Sequence, residues 1–171
     1  KEFIMNKMHL EQFIKMLNNL DGMLVKAAVF ADHKKFDVNN FMTERIAPDM
    51  LAFPKQIQIT CDAAKFCAAH MSHTEAPKFE DNEKTIPELR ARIAKTNEYL
   101  KSMIEADFSE FKEAKISPHW AGGQWLSGEE YFYELALPNF YFHITATYMI
   151  LRKSGVELGK SDYLGNLNFK K

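Results

Sequence analysis

Glycine and proline are scarce in this chain. It has 7 Gly and 6 Pro among 171 residues, where ordinary usage would give roughly 12 and 8. Collagen-like repeats, compositional disorder and a turn-rich β-sandwich are thereby disfavoured. Valine occurs only at Val25, Val29, Val38 and Val156. Cysteine is limited to Cys61 and Cys67, too few for a disulfide scaffold. Six residues apart in one helix, at about 100° per residue, they point to different faces and cannot bridge. They also lack zinc-finger spacing, so they read as reduced thiols in a cytoplasm. Charge of one sign is missing as well: 22 Lys+Arg stand against 23 Asp+Glu, a formal net charge of -1. The adjacent lysine pairs are Lys34-Lys35 and Lys170-Lys171, far from the clustered basic surface that nucleic acid needs. The N-terminal Lys-Glu-Phe-Ile-Met has no apolar signal core. The charge-free run Leu135 to Leu151 is shorter than the ~20 residues of a membrane span and contains Pro138, Asn139 and His143. No nucleic-acid or membrane partner is expected.

What is abundant is helix-forming: Ala, Leu, Met, Glu and Lys. Four helical segments follow. Phe13, Met16, Leu17, Leu20, Met23, Leu24, Ala27, Ala28 and Ala31 mark an amphipathic helix over about Leu10 to His33. A short helical connector is expected at Val38 to Met42. Pro54 opens a second helix running to about Ser72. Thr85-Ile-Pro-Glu88 is a capping box for a third, continued by Leu89, Ile93, Ala94, Asn97, Leu100 and Ile104. Ser127-Gly-Glu-Glu130 is another, for a fourth helix that Gly155 ends. Between the last two, Ile116–Trp120 and Gln124–Leu126 flank Ala121-Gly122-Gly123, the pattern of a small hairpin. Trp120 and Trp125 are expected to cover one end of the bundle, an aromatic ligand lid being the alternative. Pro77 to Lys84 is an ordered polar connection.

Few residues offer chemistry. Asn139 and His143 are four apart on the most apolar helix, hence on one face about 6 Å apart along the axis. Two helical side chains at this spacing can grip one metal; a buried Asn–His pair bonded to other helices satisfies the pattern equally. Pro138 lacks the N–H that would meet the Glu134 carbonyl, which either opens a pocket or accommodates packing. On the second helix Gln58 and Asp62 also share a face. An Asp among Ile57, Ile59, Ala63, Ala64 and Phe66 needs a partner or a cation if it faces the core, and nothing if it faces solvent. His70 and His73 suit a helix C-terminus; His9, His33 and His119 read as surface or capping residues. The 9 Met read as core filling. No Ser-His-Asp order, phosphate loop or two-cysteine clasp is present.

The segments Arg45-Ile-Ala-Pro-Asp-Met50, Gln58-Ile-Thr-Cys-Asp62, Pro77-Lys-Phe-Glu-Asp81, Glu88-Leu-Arg-Ala-Arg-Ile93, Ala136-Leu-Pro-Asn-Phe-Tyr-Phe-His143 and Gly155-Val-Glu-Leu-Gly-Lys-Ser-Asp-Tyr-Leu-Gly165 extend over nearly the whole chain. Together they resemble the DinB/YfiT-like superfamily, in a branch catalogued as a domain of unknown function. The resemblance implies an all-α four-helix bundle with helices two and three parallel, and homodimerisation. It also implies a divalent metal held by three histidines, one on helix two and two at i, i+4 on helix four. Some members are thiol-dependent transferases or isomerases. Here His143 falls at the second helix-four position, Asn139 at the first, and Asp62 at the helix-two position, or Gln58 if the register slips one turn. The implied metal set is Asp62, Asn139 and His143, with Asn139 and Gln58 lining the pocket. The implied catalytic pair is His143, as ligand or base, and Asp62, as ligand or orienter. Such a set is harder and weaker than three imidazoles. The implied cofactor is Mn, Mg, Ni or Zn, or none. In the metal-free case Asp62 bonds His143 directly and raises its pKa. The expectation is one DinB-like domain over residues 1–171, all-α with a small β-hairpin between helices three and four. The resemblance further implies a cytoplasmic homodimer acting on a small molecule as a metal-dependent hydrolase or transferase, thiol-dependent chemistry included. The alternatives are a non-enzymatic small-ligand-binding or stress-response bundle, and a dimer whose polar core is purely structural.

Overall fold

Four long helices carry the expected periodicity and bury it against one another. The computed structural model describes residues 7–170; the N-terminal stretch read for a signal segment lies outside the described residues. Helix α1 spans Lys7–Lys34 and buries Leu10, Phe13, Leu17, Leu20, Leu24 and Ala27. A 3-10 turn at Val38–Thr43 follows, capped by Asp37. Helix α2 is Phe53–Met71, with Pro54 in its first turn. Helix α3 is Ile86–Ser102; Thr85 and Glu88 form the capping box that the sequence spells. Helix α4 is three consecutive segments: an α turn at Gly128–Glu130, a π segment at Tyr131–Ala136, and α-helix at Leu137–Lys153. A short α5, Lys160–Leu164, lies against α1.

The ends of α4 are set by local chemistry. Ser127 and Glu130 close a capping box. Gly155, at φ 94, sits beyond the last turn. There Gly155 N–H donates to the Arg152 carbonyl and Val156 N–H to the Leu151 carbonyl, both at 3.0 Å. That pair of bonds is a Schellman stop, which calls for a left-handed residue and hence glycine. The π segment ends where Pro138 removes an N–H and its ring presses on the preceding turn. A widened turn accommodates both effects.

The hairpin is shorter than the sequence suggests. Only Lys115–Ile116 (β1) and Leu126–Ser127 (β2) pair, antiparallel, as Lys115 with Ser127 and Ile116 with Leu126. Pro118 cannot donate to a ladder. Ser117 Oγ instead donates to the Gln124 carbonyl, and Ala121 N–H to the Pro118 carbonyl. Trp120 and Trp125 do not seal the bundle. They are 66% and 52% exposed, and Lys115 Nζ lies 4.7 Å from the Trp125 ring centre.

Helix α2 packs most extensively on α4 and next on α3, while α1 packs on α3. Side-chain pairs fix the directions. Gln56 meets His143 and His70 meets Tyr131, so α2 and α4 are antiparallel. Gln58 meets Glu83 just before α3 and Asp62 meets Arg92 within it, so α2 and α3 are parallel. A parallel pair forces the chain to travel back the length of α2, about 28 Å. Residues 72–85 make that crossover along the α2/α3 face.

Candidate functional site

Helix α2 carries two polar stripes, and the expected site residues are divided between them. Gln56, Thr60, Ala63, Cys67 and His70 follow one another at spacings of three and four and face α4. Gln58, Asp62 and Lys65 form a second stripe facing α3. Asp62 lies about 120° around the helix from Gln56. Two residues less than two turns apart therefore serve different interfaces.

On the α4 side, His143 Nδ1 lies 2.7 Å from Gln56 Oε1. The Gln56 amide nitrogen donates to the Leu51 carbonyl at 2.9 Å, which turns the amide oxygen toward the ring. An amide oxygen only accepts, so the ring proton is on Nδ1. His143 is 7% exposed, and burial holds its pKa below the ordinary histidine value. The imidazole is therefore neutral at pH 7. Its Nε2 has no hydrogen-bond partner among the described residues, yet it is not among the fully sealed polar atoms. Nε2 thus presents a solvent-accessible lone pair. Asn139, one turn earlier, is half-buried and makes no side-chain hydrogen bond among the described residues. The outer face of α4 beside this pair is largely apolar: Pro138, Phe142 and Met149 are exposed, the last two at 57% and 48%, with Thr145 between them.

On the α3 side, the structure assembles a buried charge network. Arg92, 2% exposed, donates from Nη2 to Asp62 Oδ1 at 2.9 Å and from Nη1 to Glu83 Oε1 at 3.0 Å. Its Nη1 also pairs with Asp81 Oδ1 at 3.1 Å. Lys65, 3% exposed, reaches the same Asp62 Oδ1 at 2.9 Å, with its ammonium 4.3 Å from the Phe79 ring centre. Gln58 Nε2 donates to Glu83 Oε2 at 2.8 Å. Burial disfavours the Arg92 charge, but the Glu83 hydrogen bond and the Asp62 and Glu83 charges outweigh it, and its pKa is raised. Burial also opposes ionisation of Asp81. Hydrogen bonding to Lys55 and the Arg92 charge overcome that and hold its carboxyl below the usual range.

The expected triad of Asp62, Asn139 and His143 is therefore not brought together. Asp62 is held between Arg92 and Lys65, Gln58 is held by Glu83, and the partner that orients His143 is Gln56. The direct Asp62–His143 bond, with a raised histidine pKa, gives way to an amide partner and a lowered one. Around His143 the available donors are one imidazole and the Asn139 amide. Gln56 Oε1 is taken by the ring, and Thr60 Oγ donates to the Gln56 carbonyl. Among the described residues no group of three or more His, Cys, Asp or Glu could hold a metal ion. These donors do not fit zinc or nickel, which call for imidazole or thiolate sets.

Both thiols are sealed in the core. Burial pushes Cys61 up to about 12, the Thr96 hydrogen bond offsetting only part of the effect, and burial likewise raises Cys67. Neither is a nucleophile near neutral pH. The sequence carries signals of the network: Arg92 sits between Leu89 and Thr96 on the buried stripe of α3, and Lys65 lies one turn beyond Asp62. A charge on an apolar stripe demands buried partners.

Comparison with known proteins yields a consistent picture. The family described as "Domain of unknown function (DUF1993)" matches residues 5–164. The crystal structure of a DinB family member protein from Shewanella denitrificans is 44% identical, over 95% of this chain and 92% of that chain, with a TM-score of 0.90. No curated protein matches. Among the described residues, no helix is long and apolar enough to cross a membrane.

Proposed function

The chain belongs to the DUF1993 family of DinB-like bundles, and from that premise we propose that it binds a small molecule without a catalytic metal, through His143 and Asn139. The observation that carries this reading is the bond from His143 Nδ1 to Gln56 at 2.7 Å. It fixes the tautomer and leaves Nε2 as an acceptor for an O–H, N–H or S–H of the ligand. The lowered pKa makes this imidazole a weaker base than free histidine, which suits hydrogen bonding to a ligand better than removing its proton. Asn139, with both a donor and an acceptor, orients the ligand one turn away. The exposed Phe142 and Met149 give the pair an apolar border. In this reading a second copy of the chain covers that border as a homodimer, and the buried reduced thiols accord with a cytoplasmic setting.

A metal-dependent hydrolase or transferase is the competing reading. One feature favours it: a ring nitrogen fixed by an amide while the other stays open is how metal-bound histidines are commonly oriented. A hard ion such as Mn or Mg would then take Nε2, the Asn139 oxygen and water. Metal analysis of untagged protein separates the two. The expected result is well under one equivalent of any divalent ion, with an unchanged melting temperature under chelator. One equivalent that is lost in His143→Ala would overturn the metal-free reading. A thermal-shift screen completes the test: binding sensitive to His143→Gln supports the site. Hits indifferent to that change, or no hits at all, count against it.

A further inference from the structure

The crossover before α3 supplies charges that α2 and α3 lack. On the two helices, Lys55, Lys65 and Arg92 stand against Asp62, three cations to one carboxylate. Asp81 and Glu83, both from the crossover, provide the missing two. Glu83 divides its oxygens between Arg92 and Gln58, at 3.0 and 2.8 Å, and Asp81 divides its own between Arg92 and Lys55, at 3.1 and 2.8 Å. We propose that Asp81 and Glu83 act as internal occupants of a cationic site on α2 and α3, and that a small dianion, a phosphate or a dicarboxylate, competes for their place.

Two further features support this assignment. The internal occupants fit incompletely: Arg92 Nε is sealed and without a hydrogen-bond partner, on a residue that is 2% exposed. A site whose buried donor is left unmatched has capacity for an acceptor. There is also an approach to it. A cleft of about 410 Å³ is lined by Arg92, Glu83, Phe79, Lys78 and Lys95, with Glu80 and Glu88 on its wall. Those two carboxylates are engaged: Glu88 accepts from the backbone of Lys84 and Thr85, and Glu80 accepts from Asn82. Hydrogen bonds from neutral donors leave both carboxylates charged, but with Glu83 counted as the occupant the lining holds Lys78, Lys95 and Arg92 against Glu80 and Glu88, a net positive charge. A tethered carboxylate competes at an effective concentration in the millimolar range. Wild-type affinity is therefore weak, and removing the tethered charge strengthens it.

The test is titration of the full chain with inorganic phosphate and, separately, malonate at fixed ionic strength, with acetate as the monoanion control, followed by backbone amide NMR. Saturable shifts confined to residues 77–95 are expected, with a dissociation constant in the millimolar range. Binding should tighten about tenfold in Glu83→Gln, and weaken in Lys78→Ala/Lys95→Ala, whose side chains hold no part of the fold. If Glu83→Gln does not fold, Asp81→Asn, at the more exposed carboxylate, takes its place with the same expectation. Response to phosphate alone identifies a phosphate site, and response to malonate a dicarboxylate site. No saturable shift with either dianion in wild type and in the carboxylate variant overturns the proposal, as does acetate acting equally well.

Discussion

Replacing Arg92 by methionine removes the group that, among the described residues, touches Asp62, Asp81 and Glu83 together, while keeping most of its buried stem. Breaking a fully buried pair by deleting one partner costs about 3–5 kcal/mol, because a charge is left uncompensated. Here each carboxylate keeps a second partner: Lys65 for Asp62, Lys55 for Asp81 and Gln58 for Glu83. Asp81 is also 41% exposed at its side chain, so its share is screened by solvent. The loss should therefore fall near the lower end, on the order of 3 kcal/mol. For a chain of this size that is a fall of roughly 6–12 °C in Tm. The control is Arg90→Met two residues away, which breaks the pair with Asp21 at 2.7 Å between side chains 44% and 33% exposed. Exposed pairs contribute about 0–1 kcal/mol. Urea denaturation of the two variants beside wild type is the assay. Equal losses, or an Arg92→Met loss below about 1 kcal/mol, would refute the view that this network holds the crossover to the bundle.

Other expectations concern the two stripes of α2. Gln56→Glu places a carboxylate against His143 Nδ1 and should raise the ring's pKa, by about 1–3 units for a nearby opposite charge, as read from its NMR titration. In the unaltered protein His143 titrates below the unfolded value of about 6.5. Between the two values the unfolded chain binds a proton that the folded chain does not. The ring's contribution to stability is therefore complete above pH 6.5 and is lost as pH falls through the folded value. The stability gap between wild type and His143→Gln should narrow from pH 7.5 to pH 5.5. A constant gap would contradict a buried neutral ring. Cys61 and Cys67 should not react with a thiol reagent until the protein is unfolded in denaturant, when both should react; rapid labelling of native protein would contradict their burial.

The bundle was legible because its boundaries rest on local chemistry. The capping boxes at Thr85 and Ser127, Pro54 in a first turn and Gly155 after a last one act within a few residues of themselves. The division of α2 was not legible, because periodicity places Gln58 and Asp62 on one face without saying which neighbour covers that face. Assigning Asp62 to His143 required α4 to lie there, and α3 does instead. Gln56 gave no signal of its own; its role depends on α4 running antiparallel, which brings position 143 to the first turn of α2. The short β1–β2 pairing shows the same limit. Ala121-Gly122-Gly123 marks a turn correctly, while Pro118 restricts the ladder to two pairs.

The nitrogen chemical shifts of the His143 imidazole, recorded near pH 7.5 before and after chelator, test the central claim most directly. A neutral ring protonated at Nδ1, with Nε2 unprotonated and both shifts unmoved by chelator, is the predicted spectrum. A ring protonated at both nitrogens, or an Nε2 signal that moves when divalent metal is withdrawn, would contradict it.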